Sequence, residues 1–260
     1  MVKESLSKYL KNILIIYKDE KCECTEFIKK TLKEYKYKSK IKMRDNIVNS
    51  DFLKEQLIIT IGGDGTALKV AQYIKNNSLL LVVKDNSLLS EGYLSRTSMK
   101  NFKDSFEKIL KNKFKVRKLP RLEAYINGKL IDNYAINEIS ISRIKPYQTL
   151  MYDLNKNIER ATGIIVSTPL GSTGWNLSAG GKKLNLNDKR IQFIIREPYR
   201  GRIYKVEKRK GFLKDNKEFK VKIITNGVLS FDSTNNDFNI NNNDEIIIKK
   251  SNKTLNYIEF

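Results

Sequence analysis

The sequence predicts an α/β domain, with a parallel sheet flanked by helices, followed by a β-rich domain. Up to residue 118, short apolar runs of strand length alternate with segments of helical periodicity. Beyond Pro120, apolar runs follow one another closely and turn signals replace helices. In the first part, the turn Gly62-Gly63-Asp64-Gly65 joins a strand directly to a helix. Strands that alternate with helices form a parallel sheet with helices on its faces.

The expected elements of the first part alternate from residue 12 to residue 111. Strands are expected where a short run is nearly all apolar, and helices where apolar residues recur on one face. The expected strands are 12–17, 41–43, 57–61 and 79–83, and the expected helices are 18–36, 67–74 and 101–111. A polar loop is expected over 84–96.

The clearest signal in the second part is a two-residue hairpin turn. Asn127-Gly128 stands between the apolar runs 122–126 and 130–134, and this dipeptide favours a tight antiparallel hairpin. Further strands are expected at 135–142, 149–154, 158–167, 191–196, 219–225, 228–231 and 245–248. We therefore expect this part to be mostly antiparallel.

Composition and cysteine usage bound the class of protein. The chain has 260 residues, of which 40% are hydrophobic and 30% charged, as is typical of a globular protein. Its apolar runs fall short of the roughly 20 residues needed to cross a membrane, and Met1–Lys18 lacks a secretory cleavage signal. Cys22 and Cys24 are spaced for neither a structural disulfide nor a four-ligand zinc site, so we expect reduced thiols in the cytoplasm.

Two further features restrict the chemistry and the partners. The sequence contains no histidine, which excludes Ser-His and Cys-His catalysis and leaves a carboxylate, Lys or Tyr as general base. The net charge is +21, but the lysines are scattered from end to end. This distribution favours compositional bias and anionic substrates over a dedicated nucleic-acid surface, so no specific nucleic acid and no membrane is expected as a partner.

The glycine turn has the features of a phosphate-binding loop. Backbone N–H groups at a helix N-terminus attract anions, and glycines let a phosphate approach the backbone. Thr66 is expected to cap the helix that follows. Asp64 would be repulsive to phosphate, so we expect it to hold Mg²⁺ or to accept a proton from an attacking hydroxyl. The alternative is a structural turn with Asp64 as a surface residue.

A second polar turn follows the expected strand 158–167. Ser167 and Thr168 end this strand, and Gly171, Ser172 and Thr173 precede a helix start. Hydroxyl donors beside backbone N–H groups suit sugar hydroxyls or phosphates, although a capped helix is the commoner meaning of Ser-Thr at such a place.

Three segments in order resemble the signatures of the NAD kinase family. They are Gly-Gly-Asp-Gly-Thr at 62–66, Asn-Glu at 137–138, and the stretch 167–181 from Ser-Thr-Pro to Ala-Gly-Gly. Ser-Glu-Gly at 90–92 and Arg-Glu-Pro at 196–198 look more similar to the mitochondrial-type branch and its bacterial relatives. The resemblance spans most of residues 12–250.

The resemblance implies a two-domain kinase of the NAD kinase and diacylglycerol kinase type. The α/β domain would occupy 1–118 and a β-rich nucleotide-binding domain 119–242, while 243–260 would hold a terminal strand returning to the first domain. The active site would lie between the domains. The implied reaction is Mg²⁺-dependent transfer of a phosphoryl group from ATP to the 2′-hydroxyl of the adenosine ribose of NAD or NADH. The resemblance also suggests a homo-oligomer, a dimer or a tetramer.

The resemblance also implies residue roles. Asp64 would be the catalytic base and Trp175 would stack on a nucleotide base, the alternative being a buried core tryptophan. Thr162 stands where the family usually has Asp, and Gly174-Trp175 where it has Ala-Tyr. The phosphate loop would comprise Gly62, Gly63, Gly65 and Thr66, and the dinucleotide-binding residues would be Asn137, Glu138, Arg160, Thr162, Thr173, Gly174, Trp175 and Ser178.

Two other functions remain open from the sequence. One is a related kinase acting on another small hydroxyl substrate, such as a nucleoside, sugar or lipid. The other is a catalytically inactive protein that binds a dinucleotide or a nucleic acid, which the net charge suggests.

Overall fold

The computed structural model describes residues 10–18, 23–85, 91–204, 206, 208–234 and 237–260. They form two compact units. The first comprises the described residues up to Lys118 together with Leu255–Phe260, and the second comprises the described residues from Leu119 to Thr254.

The first unit is built on a largely parallel sheet. Its described strands are β1 (Ile13–Tyr17), β2 (Ser39–Met43), β3 (Leu57–Ile61), β4 (Leu79–Lys84), β5 (Thr97–Ser98), β6 (Lys115–Leu119) and, from the end of the chain, β18 (Leu255–Glu259). They are ordered β2-β1-β3-β4-β18-β6, with β5 also paired to β4. The helices are α1 (Glu23–Glu34), α2 (Asp64–Tyr73) and α3 (Phe102–Leu110).

The central strands of this sheet are almost entirely apolar, with Thr60 of β3 as a buried exception. Every residue of β3 is buried, as are the residues of β1 from Ile13 to Ile16. Parallel strands that are buried on both faces appear in the sequence as continuous apolar runs, so the positions of these strands could be predicted. Phe102 and Phe106 of α3 are fully buried in the same core.

The second unit is an antiparallel sheet of short strands. Among the residues described, its strands are β7 (Leu122–Ile126), β8 (Lys129–Leu130), β9 (Glu138–Ser142), β10 (Leu150–Leu154), β11 (Asn157–Ser167), β12 (Ile191–Pro198), β13 (Lys210–Leu213), β14 (Phe219–Ile223), β15 (Gly227–Phe231), β16 (Asp237–Ile240) and β17 (Glu245–Lys250). The order is β16-β15-β9-β11-β10-β14-β17-β7-β8, with β12 paired to β11 and to β13. One short helix, α4 (Trp175–Ser178), follows β11 after a 3-10 turn.

The register of the second sheet places the Asn-Glu segment at 137–138 beside the end of β11. β9 pairs with β11 so that Glu138 lies opposite Ser167, and β9 pairs on its other side with β15, where Ile139 lies opposite Phe231. The hairpin turn has the positive φ angles of 51° at Asn127 and 76° at Gly128, as a type I′ turn requires.

These sheets confirm the expected fold class of an α/β part with a parallel sheet and a β-rich part. The expected terminal segment 243–260 divides between the two sheets: β17 pairs with β14 and β7, whereas β18 pairs with β4. The expected helix 18–36 is described from Glu23, and residues 19–22, with Cys22, lie outside the described residues, as does Ser90. None of the helices described is long and apolar enough to cross a membrane.

Candidate functional site

The glycine turn follows β3 directly and its geometry requires a glycine at one position. Gly62 has φ +141°, and its N–H donates to the carbonyl of Val83 at 3.1 Å. A Cβ atom on Gly62 would lie 3.0 Å from Oγ1 of Thr66. The turn therefore brings the start of α2 against the carboxyl end of β3.

Helix α2 begins earlier than the sequence suggests. Gly63 is the N-cap residue and Asp64 is the first helical residue, so the expectation that Thr66 caps the helix is wrong. Thr66 lies inside the first turn, where its Oγ1 is buried with no hydrogen-bond partner among the described residues. A Cβ atom on Gly65 would meet nothing within 4 Å. No side chain of Gly65 therefore covers the backbone N–H groups in the first turn of α2.

Asp64 is held by a loop that sequence reasoning did not connect to it. One carboxylate oxygen accepts the N–H of Tyr93 at 3.0 Å and the other accepts the N–H of Leu94 at 2.8 Å. The preceding Gly92 has φ +65°, which turns the chain so that the two successive N–H groups face the carboxylate. The carboxylate is thus fixed in orientation at the N-terminus of α2.

The C-terminal strand β18 supports the same loop. The hydroxyl of the buried Tyr257 donates to the carbonyl of Leu94. Arg96 donates to the carbonyl of Tyr93 at 3.0 Å, lies 3.6 Å from the Glu259 carboxylate, and stacks over the Tyr257 ring at 5.2 Å. Residues from the end of the chain therefore hold the loop that holds Asp64.

In the second unit, Asn137 and Glu138 occupy the start of β9. Their backbone N–H groups donate to the carboxylate of Asp232 at 2.7 Å and 3.1 Å. On the opposite side, the N–H of Thr168 donates to the Asn137 carbonyl at 2.8 Å. The pair is thus fixed between the end of β11 and the residue that follows β15.

The Glu138 side chain is buried and its electrostatics are unusual. Burial raises the pKa of Glu138 to about 8, and the neighbouring Asp232 carboxylate adds to the rise. The group is therefore mostly protonated at neutral pH and can donate a hydrogen bond. Its Oε2 atom is buried without a partner among the described residues, as a group that binds a ligand hydroxyl would be.

The second polar turn packs closely on Asn137. Gly171 is required here, because a Cβ atom on it would lie 2.3 Å from the Asn137 carbonyl oxygen. The Thr173 hydroxyl lies within the 3-10 turn and donates to the carbonyl of Leu170 at 3.1 Å. Gly174 and Ser178 are exposed.

The remaining expected residues lie along β11 and β12. Trp175 is half-buried, which differs from a core tryptophan, and the Arg196 guanidinium covers its ring at 4.5 Å. The Thr162 hydroxyl donates to the Glu197 carboxylate, and Arg196 lies 3.4 Å from the same carboxylate. Thr162 and Trp175 are therefore linked through Arg196 and Glu197, which sequence reasoning did not propose.

Arg160 stands apart from this cluster. Its Nε donates to the Thr149 hydroxyl at 2.5 Å and its guanidinium stacks over Tyr199 at 5.1 Å. Among the site residues expected in this unit, the structure thus groups Asn137 and Glu138 with the turn at 167–173, and Thr162 with Trp175. No nearby sequence pattern predicted that Asp232 would bind the backbone of Asn137 and Glu138.

Comparisons with known proteins bear on the family of the chain. Residues 109–260, more than half of the chain, match the family model described as the ATP-NAD kinase C-terminal domain. The NAD kinase of Picrophilus torridus is 34% identical over 165 residues, a match that covers 60% of this chain and 57% of that relative.

Two solved structures show the same fold. An NAD kinase from Archaeoglobus fulgidus in complex with ATP has a TM-score of 0.78 at 21% identity, covering 95% of this chain and 92% of that one. A yeast NADH kinase complexed with NADH has a TM-score of 0.82 at 20% identity, covering 96% of this chain and 84% of that one.

The two loop glycines are expected to differ in their tolerance of alanine. Gly65→Ala should leave the melting temperature unchanged or raise it, because alanine is favoured over glycine in a helix by about 0.5–1 kcal/mol. Gly62→Ala should lower it, because of φ +141° and the 3.0 Å contact with Thr66. Gly180 has φ +86° and open space around the Cβ position. Gly180→Ala therefore measures the cost of a positive φ alone, without the cost of a steric contact such as that between Gly62 and Thr66. Equal losses at Gly62 and Gly65 would contradict a helix start at Asp64.

Proposed function

The chain belongs to the NAD kinase family, and from that premise we propose that it transfers the terminal phosphoryl group of ATP to the adenosine-ribose 2′-hydroxyl of NAD or NADH. The match over 109–260 confirms the expected family. The observation that carries the proposed reaction is the Asp64 carboxylate, fixed by two backbone N–H groups at the first turn of α2. A positioned carboxylate beside N–H groups that attract phosphate is what phosphoryl transfer to a hydroxyl needs.

Phosphate binding is proposed for the glycine turn. The N-terminus of α2 offers first-turn backbone N–H groups and a favourable dipole. Gly62 and Gly63 form the turn before it, and Gly65 leaves open space where a side chain would stand. Thr66 contributes its buried hydroxyl to the floor of the turn. Mg²⁺ would enter the site with the triphosphate, as part of the MgATP substrate.

Asp64 is proposed to act as the general base. The 2′-hydroxyl would donate its proton to a carboxylate lone pair not used by Tyr93 or Leu94, and the resulting oxygen would attack the terminal phosphorus as ADP leaves. Because the transition state is loose, orientation contributes more than basicity, so an aspartate is sufficient without a histidine.

The dinucleotide is proposed to bind the second unit. Asn137 and Glu138 would hydrogen-bond ribose hydroxyls, and the partnerless, buried Oε2 atom of Glu138 supports this. Trp175 would stack on a base and Thr162 would contact the nicotinamide end. Thr173, Gly174, Ser178 and Arg160 complete the proposed contacts through their polar atoms.

The setting of the enzyme is also a proposal. We place it in the cytoplasm, as the spacing of Cys22 and Cys24 in the sequence suggests. Assembly into a homo-oligomer is proposed from the family resemblance. Neither nucleic acid nor membrane is proposed as a partner.

Asp64→Asn is expected to abolish most activity without unfolding the protein. Turnover of NAD with MgATP should fall about 10²-fold or more, the usual effect of losing a general base. The exposed Asp104 in the first turn of α3 supplies a control, and Asp104→Asn should keep full activity. Formation of NADP and thermal unfolding should be measured for both variants. Near wild-type turnover in Asp64→Asn would exclude Asp64 as the base.

Trp175 is the sole tryptophan, so intrinsic fluorescence reports on it alone. NAD should quench its emission saturably, after correction for inner-filter absorption, and NADP should compete. Trp175→Phe should keep most activity, whereas Trp175→Ala should weaken NAD binding by about 1–3 kcal/mol, the contribution of base stacking. If NAD does not change the emission and Trp175→Ala lowers the melting temperature, Trp175 has a structural role instead.

Thr162→Asp is expected to favour NAD over NADH. A second carboxylate beside Glu197 adds negative charge, and only the oxidised nicotinamide ring is positively charged. The ratio of kcat/KM for NAD to that for NADH should rise, and Glu197→Gln in the same chain should return it toward the wild-type value. An unchanged ratio in both variants would mean that this cluster does not contact the nicotinamide.

A further inference from the structure

Asp232 follows β15 in the left-handed backbone conformation. Its φ is 52°, and Ser233 after it has the same value. Residues other than glycine, and aspartate less than most, pay a conformational cost in this left-handed region. Asp232 is nevertheless buried, with 3% of its surface exposed. The conformation turns its carboxylate toward the start of β9.

The carboxylate binds three successive backbone N–H groups. One oxygen accepts from Ile136 at 2.9 Å, and the other accepts from Asn137 at 2.7 Å and from Glu138 at 3.1 Å. The backbone N–H of Asp232 donates to the Glu138 carbonyl at 2.9 Å. One residue thus makes four hydrogen bonds to the backbone of residues 136–138.

The same short segment is bound from the other side by the end of β11. The Thr168 hydroxyl donates to the Ile136 carbonyl at 2.5 Å and the Ser167 hydroxyl donates to the Asn137 carbonyl at 3.2 Å. Backbone groups on both edges of residues 136–138 are therefore taken by side chains of other strands. These hydrogen bonds fix the backbone from which the side chains of Asn137 and Glu138 project.

A carboxylate fits this position better than an amide. It accepts on both oxygens, whereas asparagine would turn an NH₂ group toward a backbone N–H and leave that donor buried without an acceptor. Burial raises the pKa of the Asp232 carboxyl, while the three backbone donors and the buried Arg121 guanidinium oppose that rise. Arg121 is 1% exposed, so its charge is little screened by water.

We infer that Asp232 is a positioning residue of the dinucleotide site, which acts by holding the backbone of residues 136–138 so that Asn137 and Glu138 meet the ribose. The inference rests on the proposed function of that pair. This role of Asp232 concerns dinucleotide binding alone. Phosphate binding and phosphoryl transfer are proposed for Asp64 and the glycine turn. Removing the carboxylate should therefore affect the dinucleotide selectively.

The test is the kinetics of Asp232→Asn with the full chain. Asparagine adopts the left-handed conformation readily, so the backbone turn is kept. The KM for NAD should rise about tenfold or more, as loss of one buried acceptor predicts, while the KM for MgATP stays within about twofold. Asp244→Asn is the matched control, since Asp244 also accepts a backbone N–H, from Asn241 at 2.7 Å, in a turn of the same unit. It should leave both KM values unchanged.

A second variant keeps the inference testable if Asp232→Asn does not fold. Thr168→Val is nearly isosteric and removes the hydrogen bond to the Ile136 carbonyl from the opposite side, so it should raise the KM for NAD selectively as well. Active wild-type enzyme with unchanged KM values in both variants would overturn the inference alone. A wild-type chain that neither phosphorylates NAD nor binds it in calorimetry would overturn the proposed function and, with it, this inference.

Discussion

Both candidate sites depend on an aspartate carboxylate that accepts backbone N–H groups from a distant segment. Asp64 binds the N–H groups of residues 93–94, and Asp232 binds those of residues 136–138. These are charge-assisted hydrogen bonds, roughly twice as strong as neutral ones. The donors of residues 93–94 lie in a loop, and those of residues 136–138 lie just before and at the first residue of β9, where side chains supply acceptors that the backbone does not. Asp232 thereby fixes the segment that carries Asn137 and Glu138, whereas Asp64 is itself the side chain that its loop holds in place.

The local architecture of the first unit could be predicted because its determinants are local. The run from Leu57 to Ile61 and the glycines after it specify strand, turn and helix within about twenty residues. The error lay in the helix start. A threonine is a good N-cap, but Gly63 takes that position and the helix begins two residues before Thr66. The sequence pattern cannot rank these two starts, since the difference depends on the φ of Gly62 and on the space around Thr66.

Other features could not be predicted because their partners are far apart in sequence. The edge strands β13 and β16 are short and partly exposed, so they carry no apolar run. The family resemblance implied a terminal strand that returns to the first domain, but nothing in the sequence of β18 itself indicates that its partner is β4, more than 170 residues earlier. The loop that holds Asp64 lies 29 and 30 residues from it. Only the folded sheets bring these groups together.

The cluster on β11 and β12 shows how a departure from a family pattern can be offset through strand register. Ala161 pairs with Pro198 and Gly163 with Arg196, so Thr162 lies opposite Glu197. Glu197 has φ 34°, a bend within the strand that directs its carboxylate to the Thr162 hydroxyl. The hydroxyl stands where the resemblance leads one to expect a carboxylate, and the neighbouring strand brings one to it. The chemical character of the position is thus set by the strand pair, and comparing single positions in a sequence does not reveal it.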